Sequence, residues 1–204
     1  MYFSKYMQKR ILNLVASKDY SVYMIKLKTG VYSNDKEELA DYIEKMFIAW
    51  GRILRNKNKN YLRNYSGIMR RLLFEYSESK GAYEPFFYLF CLRKKPVYDA
   101  AEEEYKIRIQ SEVIRVQTYI KWFSSWASAL RVCTPTSVCF NLVDIENVEA
   151  ALSEFCTNEK YTLLPLVEEA KYELLKKASG EGRHKLVGFT GVFNELNRHV
   201  SVER

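Results

Sequence analysis

The sequence predicts an α+β fold, a small, mainly antiparallel sheet with helices packed on it, and two observations carry that reading. Segments rich in β-branched and aromatic residues are interleaved irregularly with segments of helical period, and two of the strand-like segments are joined by a short turn-rich stretch that reads as a hairpin. A chain of 204 residues with 48% hydrophobic and 28% charged residues buries a proper core, which excludes disorder for its bulk and favours one domain over two. The expected core is residues 20–198, preceded by an extension at residues 1–19.

In chain order, YSVYMIKLKT (Tyr20 to Thr29) is β-branched and aromatic with rough alternation, a strand ended by Gly30. Ser33, Asn34 and Asp35 then offer helix caps. Leu39, Ile43, Met46, Phe47, Trp50 and Leu54 form one helical stripe behind them. Gly67 to Tyr76 and Tyr83 to Leu92 are the hairpin strands across SESKGA. Between Tyr98 and Val132 the residues Tyr105, Ile109, Val113, Val116, Ile120, Phe123, Ala127 and Leu130 recur at steps of three and four, so this stripe is expected to face the core. The acidic run Glu102 to Glu104 opens that helix, where the macrodipole favours it. SVCFNLVDI reads as a strand, Glu146 to Phe155 as a short helix, Leu163 to Ala178 as another, and His184 to Arg198 as ending in one more. Trp50, Trp122 and Trp126 are expected as core aromatics.

Charge and cysteine content narrow the function. The net charge of +7 makes nucleic acid or an anionic surface a plausible partner. Cys91, Cys133, Cys139 and Cys156 form no CxxC pair and have only His184 and His199 for company, so they read as reduced, mostly buried thiols rather than zinc ligands. The first twenty residues are apolar at Ile11, Leu12, Leu14 and Val15 but interrupted by Lys9, Arg10 and Lys18, which is not the continuous run of a signal peptide or membrane span; a cytoplasmic protein with no membrane partner is expected.

Two constellations could carry chemistry. From Gly51 to Phe74 there is no acidic residue but there are seven basic ones, Arg52, Arg55, Lys57, Lys59, Arg63, Arg70 and Arg71, interleaved with asparagines and tyrosines. That mixture suits phosphate contacts with base stacking, and equally a solvated loop. Arg93, Lys94 and Lys95 extend the charge after the second hairpin strand. In VEEAKYELLKK, Glu168, Tyr172 and Lys176 align at i, i+4 and i+8, opposite the apolar stripe of the helix. A phenol beside an ammonium can act as a nucleophile on phosphate, although spacing alone favours an ordinary exposed helix face with a partly buried tyrosine.

The order of these pieces resembles rolling-circle plasmid replication initiators of the Gram-positive, HUH endonuclease type. MIKLKT (Met24 to Thr29) matches loosely the early strand of that family. YEPFFYLFC matches its YHPHxHVLL metal strand at Tyr83 and Pro85, Glu168, Lys171 and Tyr172 match its ExxKY helix, and KLVGFTGVFNEL (Lys185 to Leu196) is similar to its closing stretch. The resemblance spans residues 20–198 and implies cleavage of one DNA strand, with a metal polarising the scissile phosphate and the tyrosine attacking it.

The departure is as informative as the match. Where the family has metal-binding histidines, this chain has Glu84, Phe86 and Tyr88. The expected function is therefore binding of single-stranded or hairpin DNA without cleavage and without a cofactor. Arg55, Lys57, Lys59, Arg63, Arg70, Arg71, Arg93, Lys94 and Lys95 are the candidate contacts. The first alternative is an active Mn²⁺- or Mg²⁺-dependent nickase with Tyr172 as nucleophile, Lys171 or Lys176 as its electrostatic partner, Glu168 beside them, and Glu84 with Glu75 as remodelled ligands if the hairpin register sets them side by side. The second is a protein that pairs with an intact initiator through the 98–132 helix and damps it.

Overall fold

A computed structural model describes residues 5–16, 20–55, 62, 64–94, 104–131, 137–143, 145–157 and 187–194. In chain order the elements are α1 (Lys5–Ala16), β1 (Tyr20–Lys28), α2 (Lys36–Arg55), β2 (Tyr65–Ser77), β3 (Ala82–Lys94), α3 (Glu104–Leu130), β4 (Val138–Val143), a short 3-10 turn (Ile145–Asn147), α4 (Val148–Thr157) and β5 (Val187–Gly191). The strands form one five-stranded sheet in the order β4-β1-β3-β2-β5, with antiparallel neighbours throughout. The fold is α+β as the sequence predicts. Its inner part, β1-α2-β2-β3-α3-β4, is the βαββαβ arrangement in which both connecting helices cross one face of the sheet, and β5 extends the edge beside β2.

Both faces of the sheet are covered. On one side α2 contributes Leu39, Ile43, Met46, Phe47, Trp50 and Ile53, and α3 contributes Trp122 and Trp126, over Ile25, Leu27, Leu72, Phe87 and Leu89. The indoles of Trp50 and Trp122 stack with centroids 6.4 Å apart. Each α3 indole also finds an acceptor: Trp122 Nε1 donates to Tyr65 Oη at 2.8 Å and Trp126 Nε1 to the Lys28 carbonyl at 2.7 Å, so neither N–H is buried without a partner. On the other side Ile11 and Val15 of α1, Leu152 and Phe155 of α4, and Phe193 pack on Met24, Met69, Leu73, Phe86, Phe90 and Leu92.

The local signals produce α2 and the hairpin directly. Asp35 Oδ1 accepts the backbone N–H groups of Glu37 and Glu38 at 2.9 and 2.8 Å, which caps α2. The β2–β3 register runs from Tyr65↔Arg93 to Ser77↔Ala82 across the turn. Cys91 and Cys156 are buried thiols and Cys139 is exposed; Cys133 lies outside the described residues.

Four elements differ from expectation. The middle of the recurring stripe of α3 faces outward: Val113, Val116, Ile120 and Phe123 are exposed, while its last member Leu130 is buried as expected, together with Thr118, Trp122, Ser125, Trp126 and Ala129. The helix carries two apolar stripes, and the two tryptophans, with the most apolar area to hide, decide which one meets the sheet. At the end of α2, Ile53 is buried and Leu54 is 44% exposed, the reverse of the reading that put Leu54 on the stripe.

The N-terminal segment is also more than an extension. Ile11 and Val15, four apart on one face of α1, are 0% and 3% exposed and belong to the second core layer. Finally, residues 187–191 form a strand ahead of the helix expected to end the 184–198 segment, of which residues 192–194 are helical. Val187, Phe189 and Thr190 pair with β2, and Gly191 takes a φ of +56° where a Cβ would collide with the Ser66 carbonyl. The expected helix at 163–178 lies outside the described residues.

Phe87 sits at the middle of the central strand, 0% exposed and in ring contact with Phe47, Trp50 and Trp126. Phe87→Ala is expected to lower stability by about 3–5 kcal/mol, since the rigid aromatic surroundings cannot close the cavity. Urea denaturation checks it, with a lower midpoint at unchanged slope as the expected outcome.

Candidate functional site

The strand matched to the family's metal strand is β3, the central strand of the sheet. Successive residues on a strand point to opposite faces, so Glu84, Phe86 and Tyr88 all point to the α1/α4 side. The register sets Glu75 of β2 directly opposite Glu84. From the neighbouring strand, Lys28 pairs with Phe86 and Lys26 with Tyr88. Six side chains from three strands thus meet at one end of one sheet face.

Their electrostatics close within the group. The Lys28 ammonium lies against Glu75 Oε2 and 3.5 Å from Glu84 Oε2, and Lys26 Nζ is 3.9 Å from Glu75 Oε1. Glu84 is 1% exposed, and its other oxygen accepts the backbone N–H of Gly30 at 2.6 Å. Gly30 is held there because Ser33 exchanges two backbone hydrogen bonds with Tyr83, of 2.9 and 3.1 Å, fastening the β1–α2 connection over the start of β3. Burial pulls the Lys28 pKa down, but the hydrogen bond and charge of Glu75 together with the charge of Glu84 outweigh it and the net shift is upward. Burial, with the charge and hydrogen bond of Glu84, pushes the Tyr32 phenol up as well.

Phe86 and Tyr88, which the sequence aligns with histidines, are taken up by packing. Phe86 is 0% and Tyr88 5% exposed. Tyr88 lies 5.8 Å from the Phe155 ring and donates its hydroxyl to Glu154 Oε1 at 3.1 Å. Lys26 Nζ sits over both rings, at 5.2 Å from Phe86 and 5.9 Å from Tyr88.

These residues do not fit a divalent metal. Mg²⁺ or Mn²⁺ requires several oxygen or imidazole ligands with room between them. Here two carboxylates have an ammonium between them, and no group of three potential ligands occurs among the described residues. The register that the nickase reading required is present, but a lysine takes the cation's place.

The candidate DNA contacts separate into different environments. Arg70 is 6% exposed, with its guanidinium 4.6 Å from the Phe47 ring and 4.7 Å from that of Phe87. Burial pulls its pKa down to about 10, still charged at neutral pH, and the ring faces stabilise that charge. The expectation that Arg70 meets phosphate is therefore corrected, because its guanidinium lies inside the core. Arg71, on the opposite face, is half-buried and donates to the Phe155 carbonyl in the last turn of α4, a structural role at a helix C-terminus. Half-buried Arg93 donates to Thr118 Oγ1 at 2.8 Å and ties β3 to α3.

Arg55 and Lys94 are exposed. Lys57, Lys59, Arg63 and Lys95, and the whole group Glu168, Lys171, Tyr172 and Lys176, lie outside the described residues. Sequence reading overlooked Lys26 and Lys28; two lysines on the alternate positions of an otherwise apolar strand were the available signal. It also passed over Arg131, which ends α3 with a φ of +54°.

Lys28→Met is expected to cost about 3 kcal/mol at neutral pH, the low end for removing one partner of a buried pair, since the Lys28 side chain keeps 20% exposure. The wild-type contribution has a defined pH window. With the folded pKa of Lys28 above its ordinary 10.5, the stabilisation is complete below pH 10.5 and is lost as pH rises through the folded value. Denaturation midpoints of wild type and variant are expected to converge above that pH; a constant gap from neutral into strongly alkaline solution would rule the linkage out.

No family model, curated protein or solved structure matches this chain.

Proposed function

We propose that this chain binds nucleic acid, in the form of single-stranded or hairpin DNA, on a scaffold related to rolling-circle replication initiators, and that it does not cleave the strand. The observation that carries the reading is the filling of the ligand positions on the central strand: Glu84 paired through Lys28 with Glu75, and Phe86 and Tyr88 packed against α4. Without a metal to polarise the phosphate, the electrophilic half of the cleavage reaction is missing, and that half carries several kcal/mol of transition-state stabilisation. Binding needs no such group. The stretch from Gly51 to Phe74 has seven basic residues and no acid, and it begins in the last turn of α2, where Arg52 and Arg55 reach the surface. Lysine and arginine on phosphates displace counterions, so affinity falls with salt in proportion to the number of contacts.

Fluorescence anisotropy of labelled single-stranded and hairpin oligonucleotides with the full chain tests this. The expected result is binding at low salt whose affinity falls steeply as salt rises, and no covalent protein–DNA adduct after incubation with Mn²⁺. Failure of both DNA forms to bind at low salt removes the proposal. An adduct that disappears in Tyr172→Phe supports the nickase reading instead.

One observation favours a second reading, a protein that damps an intact initiator. Val113, Val116, Ile120 and Phe123 of α3 are spaced three, four and three apart and are 39–56% exposed, which is the spacing of a helix-pairing seam. The partner helix would be the equivalent helix of the initiator. Ile120→Glu is then expected to abolish inhibition of the initiator's nicking while leaving DNA affinity of this chain unchanged; inhibition that survives the substitution removes this reading.

A further inference from the structure

Where α2 and α3 end side by side, they enclose an open groove of about 400 Å³ lined by Arg52, Arg55, Arg131, Ser125 and Ser128. Helix C-termini carry partial negative charge, so arginines there have an ordinary explanation as caps. Part of the chemistry is used in that way. Arg52 Nη1 donates to the Ala129 carbonyl at 2.7 Å and Arg55 Nε to the Gly51 carbonyl at 3.2 Å. Those bonds take one N–H from each guanidinium, which has five, and among the described residues no carboxylate pairs with any of the three arginines. Three cations with spare forked donors and two hydroxyls therefore share one concave surface.

Arg131 adds an independent observation. It is the only non-glycine residue with positive φ among the described residues, at +54°, in the position just past a helix where glycine or asparagine is favoured. A Cβ makes that conformation unfavourable, and strained backbone of this kind gathers at functional sites. A glycine would end α3 with less strain; what the arginine adds is a guanidinium on the groove.

We propose that this groove is a phosphate-binding site for a nucleic-acid backbone, with Arg55 and Arg131 gripping phosphate oxygens from two sides, the remaining donors of Arg52 at its floor, and the hydroxyls of Ser125 and Ser128 donating to the same oxygens. Guanidinium forks match phosphate oxygens in pairs. The inference rests on the nucleic-acid reading above and gives it a location on the helix ends, away from the sheet face that carries Glu84.

The test compares the full chain with the double variant Arg55→Gln/Arg131→Gly in two arms. In the first, anisotropy with a labelled single-stranded oligonucleotide is expected to show affinity lowered about tenfold or more, and a salt slope reduced by about 1.4, which is 0.7 for each of two lost phosphate contacts. Thermal melting of the variant is expected to be unchanged or higher, because the glycine relieves strain at position 131. In the second arm, inorganic pyrophosphate is expected to raise the melting temperature of the wild type and not of the variant. DNA binding with the same affinity and slope in both proteins overturns the groove proposal and leaves the nucleic-acid reading standing. No DNA binding by the wild type, with a pyrophosphate shift that depends on the two arginines, keeps the groove as an oligophosphate site and removes the nucleic-acid reading. Absence of both effects removes both.

Discussion

Every residue of β3 from Glu84 to Leu92 is buried, because the strand lies at the centre of a sheet covered on both faces. That constraint shapes what the rest of the molecule does. A strand hidden on both sides tolerates a charge only with a partner beside it. Glu84 therefore requires Lys28 from β1 and the Gly30 amide from the connection that follows it. The connection is in turn pinned to Tyr83 through Ser33, two residues before the Asp35 cap that starts α2. The helix layer and the ionic cluster are thus fastened to the same end of the same strand.

The two faces of β3 solve the burial problem differently. Towards α2 and α3 the solution is aromatic: Phe87 lies among Phe47, Trp50 and Trp126, with Arg70 held over the rings. Towards α1 and α4 it changes along the strand, from apolar contacts of Phe90 with Phe155 and Phe193 to the ring and ammonium contacts of Phe86 and Tyr88 with Lys26, and then to paired charges at Glu84. Glu84, Phe86 and Tyr88 lie along this gradient. Glu84 pairs in charge with Lys28, and Phe86 and Tyr88 are packed under Lys26 and beside α4, so that this end of the sheet face is occupied.

What could be read from the sequence was what local chemistry determines. Asp35 before a clean stripe specifies α2, and strand-like runs rich in apolar and aromatic residues on both sides of a Gly-containing turn specify β2 and β3. The outward stripe of α3 was misjudged because periodicity counts positions, whereas burial is decided by area and by acceptors for the indole N–H groups of Trp122 and Trp126. β5 needs a distant partner strand, which no local pattern in residues 187–191 announces. Glu75 and Glu84 were readable as a possible pair from the hairpin alone. Their neutralisation by Lys28 was not, since it depends on β1 lying next to β3, a strand distant in the chain, and the same holds for Arg52 and Arg131 lining one groove where two helices end.

The Lys28 ammonium lies between the carboxylates of Glu75 and Glu84 and leaves no room there for a divalent cation. Electron paramagnetic resonance of Mn²⁺ titrated into the 204-residue chain measures this directly, because the free aquo ion loses its signal when it binds. The free-ion signal is expected to stay proportional to added Mn²⁺ up to millimolar concentration. Stoichiometric loss of that signal in the wild type, restored by Glu84→Gln, would contradict it.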